Sequence, residues 1–218
     1  MFPSPGQLVK SALMETAGVT RMRLVGGDLA LDFLNTRAGP PVGPPDDDVL
    51  TGYAELIAWS VYAGALAETQ AAALRRLSRD SPDSTRTAFA QALRTRDYLD
   101  EVFRPLAAGE DPGVAALTRL RDDEADALAH AQLVRGKTFA WSWRDDHTPA
   151  RPLRPVVHAA VQLLTTGALD RIKRCAGCRF LFIDESKNRS RRWCSMEDCG
   201  TAAKIRRYVE VRRIRTKR

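Results

Sequence analysis

All four cysteines of this 218-residue chain lie between positions 175 and 199, as Cys175-Ala-Gly-Cys178 and Cys194-Ser-Met-Glu-Asp-Cys199 with fifteen residues between the pairs. Thiolates are soft ligands, and two close pairs joined by a loop of this length are what one tetrahedral zinc takes. Each pair supplies two sulfurs from one tight turn. Four sulfurs fill the coordination shell, so the expected ion is structural, one Zn²⁺ per chain, with no open position for chemistry. His147 and His158 are then superfluous as ligands. A disulfide pairing is the competing use of four cysteines. The N-terminus has no secretory pattern, because Lys10 and Glu15 interrupt it, and a reducing cytoplasm favours metal.

The same segment is the most basic part of the chain. Residues 171–218 hold sixteen Lys/Arg against five Asp/Glu, a net of +11, whereas residues 1–170 hold eighteen against twenty-two, a net of −4. One-sided charge of this kind suits a polyanion. Lys187, Asn188, Arg189, Arg191, Arg192, Lys204, Arg206 and Arg207 are the candidate nucleic-acid contacts, with Arg212, Arg213 and Arg215 extending the basic run. Arginine is well suited to phosphate. Asn188 has the chemistry to read an adenine edge, although a turn is the simpler use of a loop asparagine.

These residues need elements to position them. Residues 179–184 read as a strand, with Phe180 and Phe182 on one side and Leu181 and Ile183 on the other. Residues 191–193 read as the returning strand, and a helix runs from 198 to about 216 with Ile205, Tyr208 and Val209 on one face. Knuckle, hairpin and a ligand pair at a helix start make a treble-clef-like finger. Trp193 is expected to buttress the metal. The helix N-terminus would favour the Cys194 and Cys199 thiolates.

Upstream, residues 1–20 read as a flexible arm and 21–170 as a mostly helical domain. Helices are expected over 51–67, 68–77, 84–106, 114–129 and 156–166. Gly26-Gly27 signals a turn, and residues 29–34 fit either a helix or a buried strand. Gly136-Lys137 between apolar runs predicts a hairpin whose Phe139, Trp141 and Trp143 alternate on one face, packed in a core. The fold class is therefore α+β, mostly helical, with a helical N-terminal domain carrying a hairpin and a zinc finger at 171–218. The charge break near 168–174 predicts two independent cores, so that metal loss unfolds the finger and spares the rest.

The segment Cys175-Ala-Gly-Cys178, Phe182-Ile-Asp184-Glu-Ser186, Asn188-Arg-Ser-Arg191-Arg-Trp193-Cys194 and Cys199-Gly200 resembles the CGNR-type zinc finger. Gly26-Gly-Asp-Leu-Ala-Leu-Asp-Phe-Leu-Asn35-Thr36 resembles the opening of the ABATE domain that precedes such fingers in many bacterial proteins. The resemblance covers nearly the whole chain. It implies a transcription regulator, of a kind often called stress-induced. After Cys199-Gly200 the family pattern continues with Asn and Arg; this chain has Thr201 and Ala202. The metal ligands are intact, but whatever the Asn-Arg pair contributes to nucleic-acid contact or helix entry is altered here.

The expected function is zinc-dependent DNA binding in transcription regulation, the protein being cytoplasmic and nucleoid-associated when bound. The N-terminal domain would supply effector sensing or homodimerisation. Asp32, Asn35 and Thr36 either line a small-molecule pocket or cap a helix. Two other classes fit the same residues: a finger that docks on protein or RNA, or a small-molecule-binding protein without a DNA role. An enzyme is not expected. None of His130, His147 and His158 sits in a nucleophile or metal-hydrolase motif, no phosphate-binding glycine loop is present, and Asp122, Asp123, Glu124 and Asp126 read as a solvated helix face. No stretch is apolar enough to span a bilayer.

Overall fold

The chain is described by a computed structural model over residues 17–216. Its elements are, in order, α1 (Ala17–Arg21), α2 (Leu29–Leu34), β1 (Arg37–Ala38), β2 (Asp47–Asp48), α3 (Tyr53–Tyr62), α4 (Glu68–Asp80), α5 (Pro82–Leu106), α6 (Val114–Ala129), β3 (Ala131–Arg135), β4 (Phe139–Trp143), α7 (Arg154–Thr166), β5 (Ile172–Arg174), β6 (Leu181–Ile183) and α8 (Thr201–Thr216), the last entered through a π-helical turn at Met196–Gly200. The described residues contain three separate antiparallel two-stranded sheets: β1–β2, β3–β4 and β5–β6. The chain is mostly helical with small hairpins, as its sequence predicts.

The short helix α2 is the hub. Asp28 caps it, its carboxylate accepting a hydrogen bond from the Ala30 N–H at 2.8 Å. All its residues after Leu29 are buried, and it packs against α5, α7 and β6. Phe33 meets Trp59 of α3 with ring centroids 5.2 Å apart. Leu56, Ile57, Leu99, Val102, Phe103, Val156 and Val157 close the core around them. The two readings left open for residues 29–34 are thus resolved in favour of a helix, surrounded on all sides.

Three expectations change. The arm expected over 1–20 gives way at Ala17, where α1 begins and Val19 is fully buried; residues 1–16 lie outside the described residues. The finger's hairpin is not 179–184 with 191–193. Its strands are β5 and β6, paired as Ile172 with Ile183 and Arg174 with Leu181, with the first cysteine pair in the turn between them. Residues 191–193 are irregular, joined to the first knuckle by the Ala176 N–H bonding the Arg192 carbonyl at 2.9 Å.

The third change concerns the β3–β4 hairpin. Ala131 and Trp143 pair at its base and Arg135 and Phe139 near its tip. The base packs on α6 and α7, with Trp143 edge-on to His158 at 5.5 Å. The tip overhangs, leaving Phe139 65% and Trp141 43% exposed rather than buried.

Candidate metal centre and its seam with the helical domain

The four cysteine sulfurs all lie within 4.8 Å of one another. Cys178 and Cys194 are 3.6 Å apart and Cys194 and Cys199 3.8 Å. A tetrahedron with zinc–sulfur bonds of about 2.3 Å has sulfur–sulfur edges of roughly 3.8 Å, so the separations fit one zinc. None of the four forms a disulfide. Backbone N–H groups of Gly177 and Cys194 each point at the Cys175 sulfur at 3.3 Å, the hydrogen bonds a thiolate accepts. Gly177 is required by space: a Cβ there would sit 2.9 Å from the Cys199 Cβ.

The proton balance of the four sulfurs calls for a cation. Hydrogen bonds from the Cys178 and Cys194 side chains pull Cys175 well below the usual thiol range. The same contacts push Cys178 up to about 12 and Cys194 higher still. Four sulfurs this close cannot ionise together unless a dication offsets their charge. Cys175, Cys178, Cys194 and Cys199 would hold that ion; Phe180, Phe182, Trp193 and Val25 shield it. Among the described residues no other group of His, Cys, Asp or Glu is placed to hold a metal. His147 lies against Asp145 and His158 against Glu124. Glu124 is therefore buried rather than part of a solvated face, and Asp123 accepts from the Tyr98 hydroxyl at 2.5 Å.

The strand β6 lies between two apolar clusters. Leu181 and Ile183 enter the main core, while Phe180 and Phe182 pack around the sulfurs, which is the alternation read from the sequence. Asn35, just after α2, brackets this strand. Its Nδ2 donates to the Leu181 carbonyl at 2.9 Å, and its Oδ1 accepts from the Leu181 N–H at 2.9 Å. The Ile183 N–H bonds the Gly26 carbonyl at 2.8 Å. Gly27, at φ +78, lets the loop pass against the Ile183 side chain, where even a Cβ would lie at 3.4 Å. Further along the seam, the Arg179 N–H bonds the Gly39 carbonyl at 3.0 Å, and Arg23 pairs with Glu197 and Asp198.

Asp32, Asn35 and Thr36 hold the seam and the core through their hydrogen bonds. Asp32 accepts from the Gly26 N–H at 2.8 Å, and burial lifts its carboxyl to about 6. Thr36, fully buried, donates to the Phe33 carbonyl at 2.6 Å and accepts from Arg96 at 2.8 Å. Asn35 does border a cavity of about 350 Å³ between the two parts of the chain, but both ends of its amide are spent on Leu181.

The basic residues divide. Arg191 is spent inside the finger: its Nε donates to the Trp193 carbonyl at 3.0 Å, its Nη2 to the Cys194 carbonyl, and its guanidinium lies 4.4 Å from the Phe182 ring centroid. That geometry removes it from the phosphate candidates and makes it a positioning residue for the second cysteine pair. Arg189, in the left-handed region at φ +51, pairs with Asp170. Arg192 is exposed and stacks over Trp193 at 5.2 Å. Lys187 and Asn188 are exposed, as are Lys204, Arg206 and Arg207 on α8.

The sequence did not show the roles of two groups. Asp184 is fully buried; burial alone would raise its pKa, but hydrogen bonds from Lys173, from the Ser186 side chain and N–H, and from the Arg191 N–H outweigh it and hold the carboxyl well below the usual range. The Asp184-Glu-Ser186 spacing carried the turn signal. Asn35 had no local signal, its partner being 146 residues away.

Comparison with known families follows this division. The family described as "Putative stress-induced transcription regulator", ABATE, matches residues 27–167. The chain belongs to the ABATE family. The CGNR zinc finger matches residues 171–213, covering all four cysteines. No curated protein matches the chain. The ABATE region begins at Gly27, so the residues that clamp β6 open that domain, and the finger they clamp is positioned for one structural zinc.

Proposed function

We infer that this chain is a zinc-dependent DNA-binding transcription regulator acting in a bacterial cytoplasm, on the nucleoid when bound. The observation that carries this reading is α8. It starts at the zinc site, and among residues 201–213 all but Ala203 are exposed. Its sequence carries Lys204, Arg206, Arg207, Arg212, Arg213 and Arg215 against a single acidic residue, Glu210. A cationic helix standing free of the body suits a polyanion, and zinc fixes its root. Lys187 and Arg192 add exposed cations from the finger loop.

Effector control would act at the seam. The cavity of about 350 Å³ is bordered by Met22, Val25 and Val49 on one side and Phe180, Cys178 and Cys199 on the other. An apolar molecule seated there would touch both parts, and sites at domain interfaces of this size are common. Homodimerisation would use the β3–β4 tip, where Leu133, Phe139 and Trp141 share an exposed face.

The test is fluorescence anisotropy of labelled random-sequence duplex with the zinc-loaded protein and after chelation. Binding that needs zinc supports the reading. Zinc-independent binding, or binding to structured RNA alone, favours the RNA-docking or another alternative.

A further inference from the structure

The helix α8 carries more than charge. Ile205, Tyr208 and Val209 are 58%, 61% and 57% exposed. At about 100° per residue they form one stripe, with Tyr208 and Val209 within roughly 60° of Ile205 on either side. Arg212 extends the stripe, its guanidinium 5.4 Å from the Tyr208 ring centroid. Arg206 and Arg213 fall about 80–100° to one flank, Lys204 about 100° to the other, and Arg207 roughly 160° away on the back.

We propose that α8 lies in a DNA major groove with the Ile205–Tyr208–Val209 stripe against thymine C5-methyl groups, Lys204 on one phosphate wall and Arg206 and Arg213 on the other. The proposal rests on the DNA-binding reading above and adds which face enters the groove and what it reads. A stripe that is apolar at Ile205, Tyr208 and Val209 and ends in Arg212, set between two cationic flanks, matches the groove's own section: methyl-bearing base edges between two phosphate strands. A second copy of this helix fits poorly, because cations on both flanks would meet cations. An anionic bilayer offers the same general pattern of apolar interior and acidic surface, so it is an arm of the test.

The experiment uses the full zinc-loaded chain. Duplexes are selected from a random pool, and the tightest is rebuilt with deoxyuridine replacing thymine one position at a time, which removes a methyl and nothing else. The expected result is a three- to tenfold loss of affinity, on the order of one buried methyl group, at one or more positions. Val209→Ala or Ile205→Ala should abolish that thymine preference while zinc content stays at one equivalent. Arg206→Ala and Lys204→Ala should weaken thymine and uracil duplexes alike, and Arg207→Ala should change affinity far less than Arg206→Ala.

Uracil duplexes that bind as well as thymine duplexes at every position would overturn the base-reading role, as would a selection that enriches no sequence. Equal effects of Arg207→Ala and Arg206→Ala would overturn the assigned face. Binding to phosphatidylserine vesicles that depends on Ile205 and Val209, without thymine preference, would reassign the stripe to a membrane surface. No affinity for any duplex is a different failure, that of the DNA-binding reading itself.

Discussion

The finger has two halves that differ in almost every physical respect. From Ile172 to Ile183 it is part of the helical domain: Ile172 and Leu181 lie in the main core, and Asn35 hydrogen-bonds both sides of the Leu181 backbone. From Thr201 to Arg213 it leaves the body, and Ile205, Tyr208, Val209 and Val211 are exposed. Their cations differ in the same way. In and beside the first half Lys173 bonds Asp184, Arg171 donates to the Asp184 carbonyl at 2.8 Å, and Arg179 lies 3.7 Å from Asp100. In the second half Lys204, Arg206 and Arg207 are exposed. The net charge of the segment therefore overstates the binding surface. The break in composition near residue 170 marks where family matches change, while the break in packing falls at the zinc.

The largest expected effect probes that second break. Cys178→Ser should lower bound zinc from about one equivalent to near zero, removing an apparent binding free energy on the order of 10 kcal/mol from the folded finger. Hydrogen exchange should then be fast over 194–216 and remain slow over 172–183, which the core holds. Loss of protection across 172–183 alone, with 194–216 unchanged, would reverse the comparison.

Next in size is the bracket. Asn35→Ala leaves a buried N–H and a buried carbonyl of Leu181 without partners, at about 1–3 kcal/mol each. Urea unfolding should show a loss of roughly 2–5 kcal/mol in the whole protein. Leu181→Ala should cost a similar ~2–5 kcal/mol, while Ile205→Ala, on the exposed half, should stay within about 0.5 kcal/mol. Equal costs at Leu181 and Ile205 would show that the two halves are not packed differently.

A smaller effect is read from pH. Burial raises the Asp32 carboxyl to about 6 in the folded chain, against an unfolded value of about 4. The folded state then holds the proton more tightly, so this contribution to stability is complete below pH ~4 and is lost as pH rises through about 6. The stability difference between wild type and Asp32→Asn should shift toward the variant by about 2 kcal/mol from pH 4.5 to 7. Taking the difference cancels the pH dependence of zinc binding. Asp184 acts in the opposite sense and at lower pH: its hydrogen bonds stabilise the fold above the unfolded carboxyl range and are lost as pH falls through its lowered value. A flat difference would mean that Asp32 is not held in a dry site.

What the sequence made legible follows from how local each signal was. The cysteine spacing located the metal centre because two short turns supply all its ligands. Helix α6 appeared over Val114–Ala129 as predicted, its pattern being uninterrupted. The alternation in 180–183 correctly split Phe from Leu and Ile, but not which strand lay beside it, because Ile172–Arg174 and residues 191–193 are both short and basic. The hairpin aromatics misled for a related reason: alternation fixes a shared face, while coverage of that face depends on how far the hairpin overhangs α6 and α7. The role of Asn35 was beyond reach, since its partner is brought near only by the completed fold. Arg191 resembled its exposed neighbours in sequence and differs only in being folded back onto the carbonyls beside Cys194.

The central claim is that zinc roots a free cationic helix for a polyanion, and the salt dependence of duplex affinity tests it most directly. For the zinc-loaded chain, log affinity should fall linearly with log salt, by about 0.9 per phosphate neutralised. Replacing Lys204, Arg206 and Arg213 together with Ala should flatten that slope by roughly 2 to 3, whereas Arg191→Ala should lower zinc retention instead. A zinc-loaded protein with no salt-sensitive affinity for any duplex at low ionic strength would contradict the account.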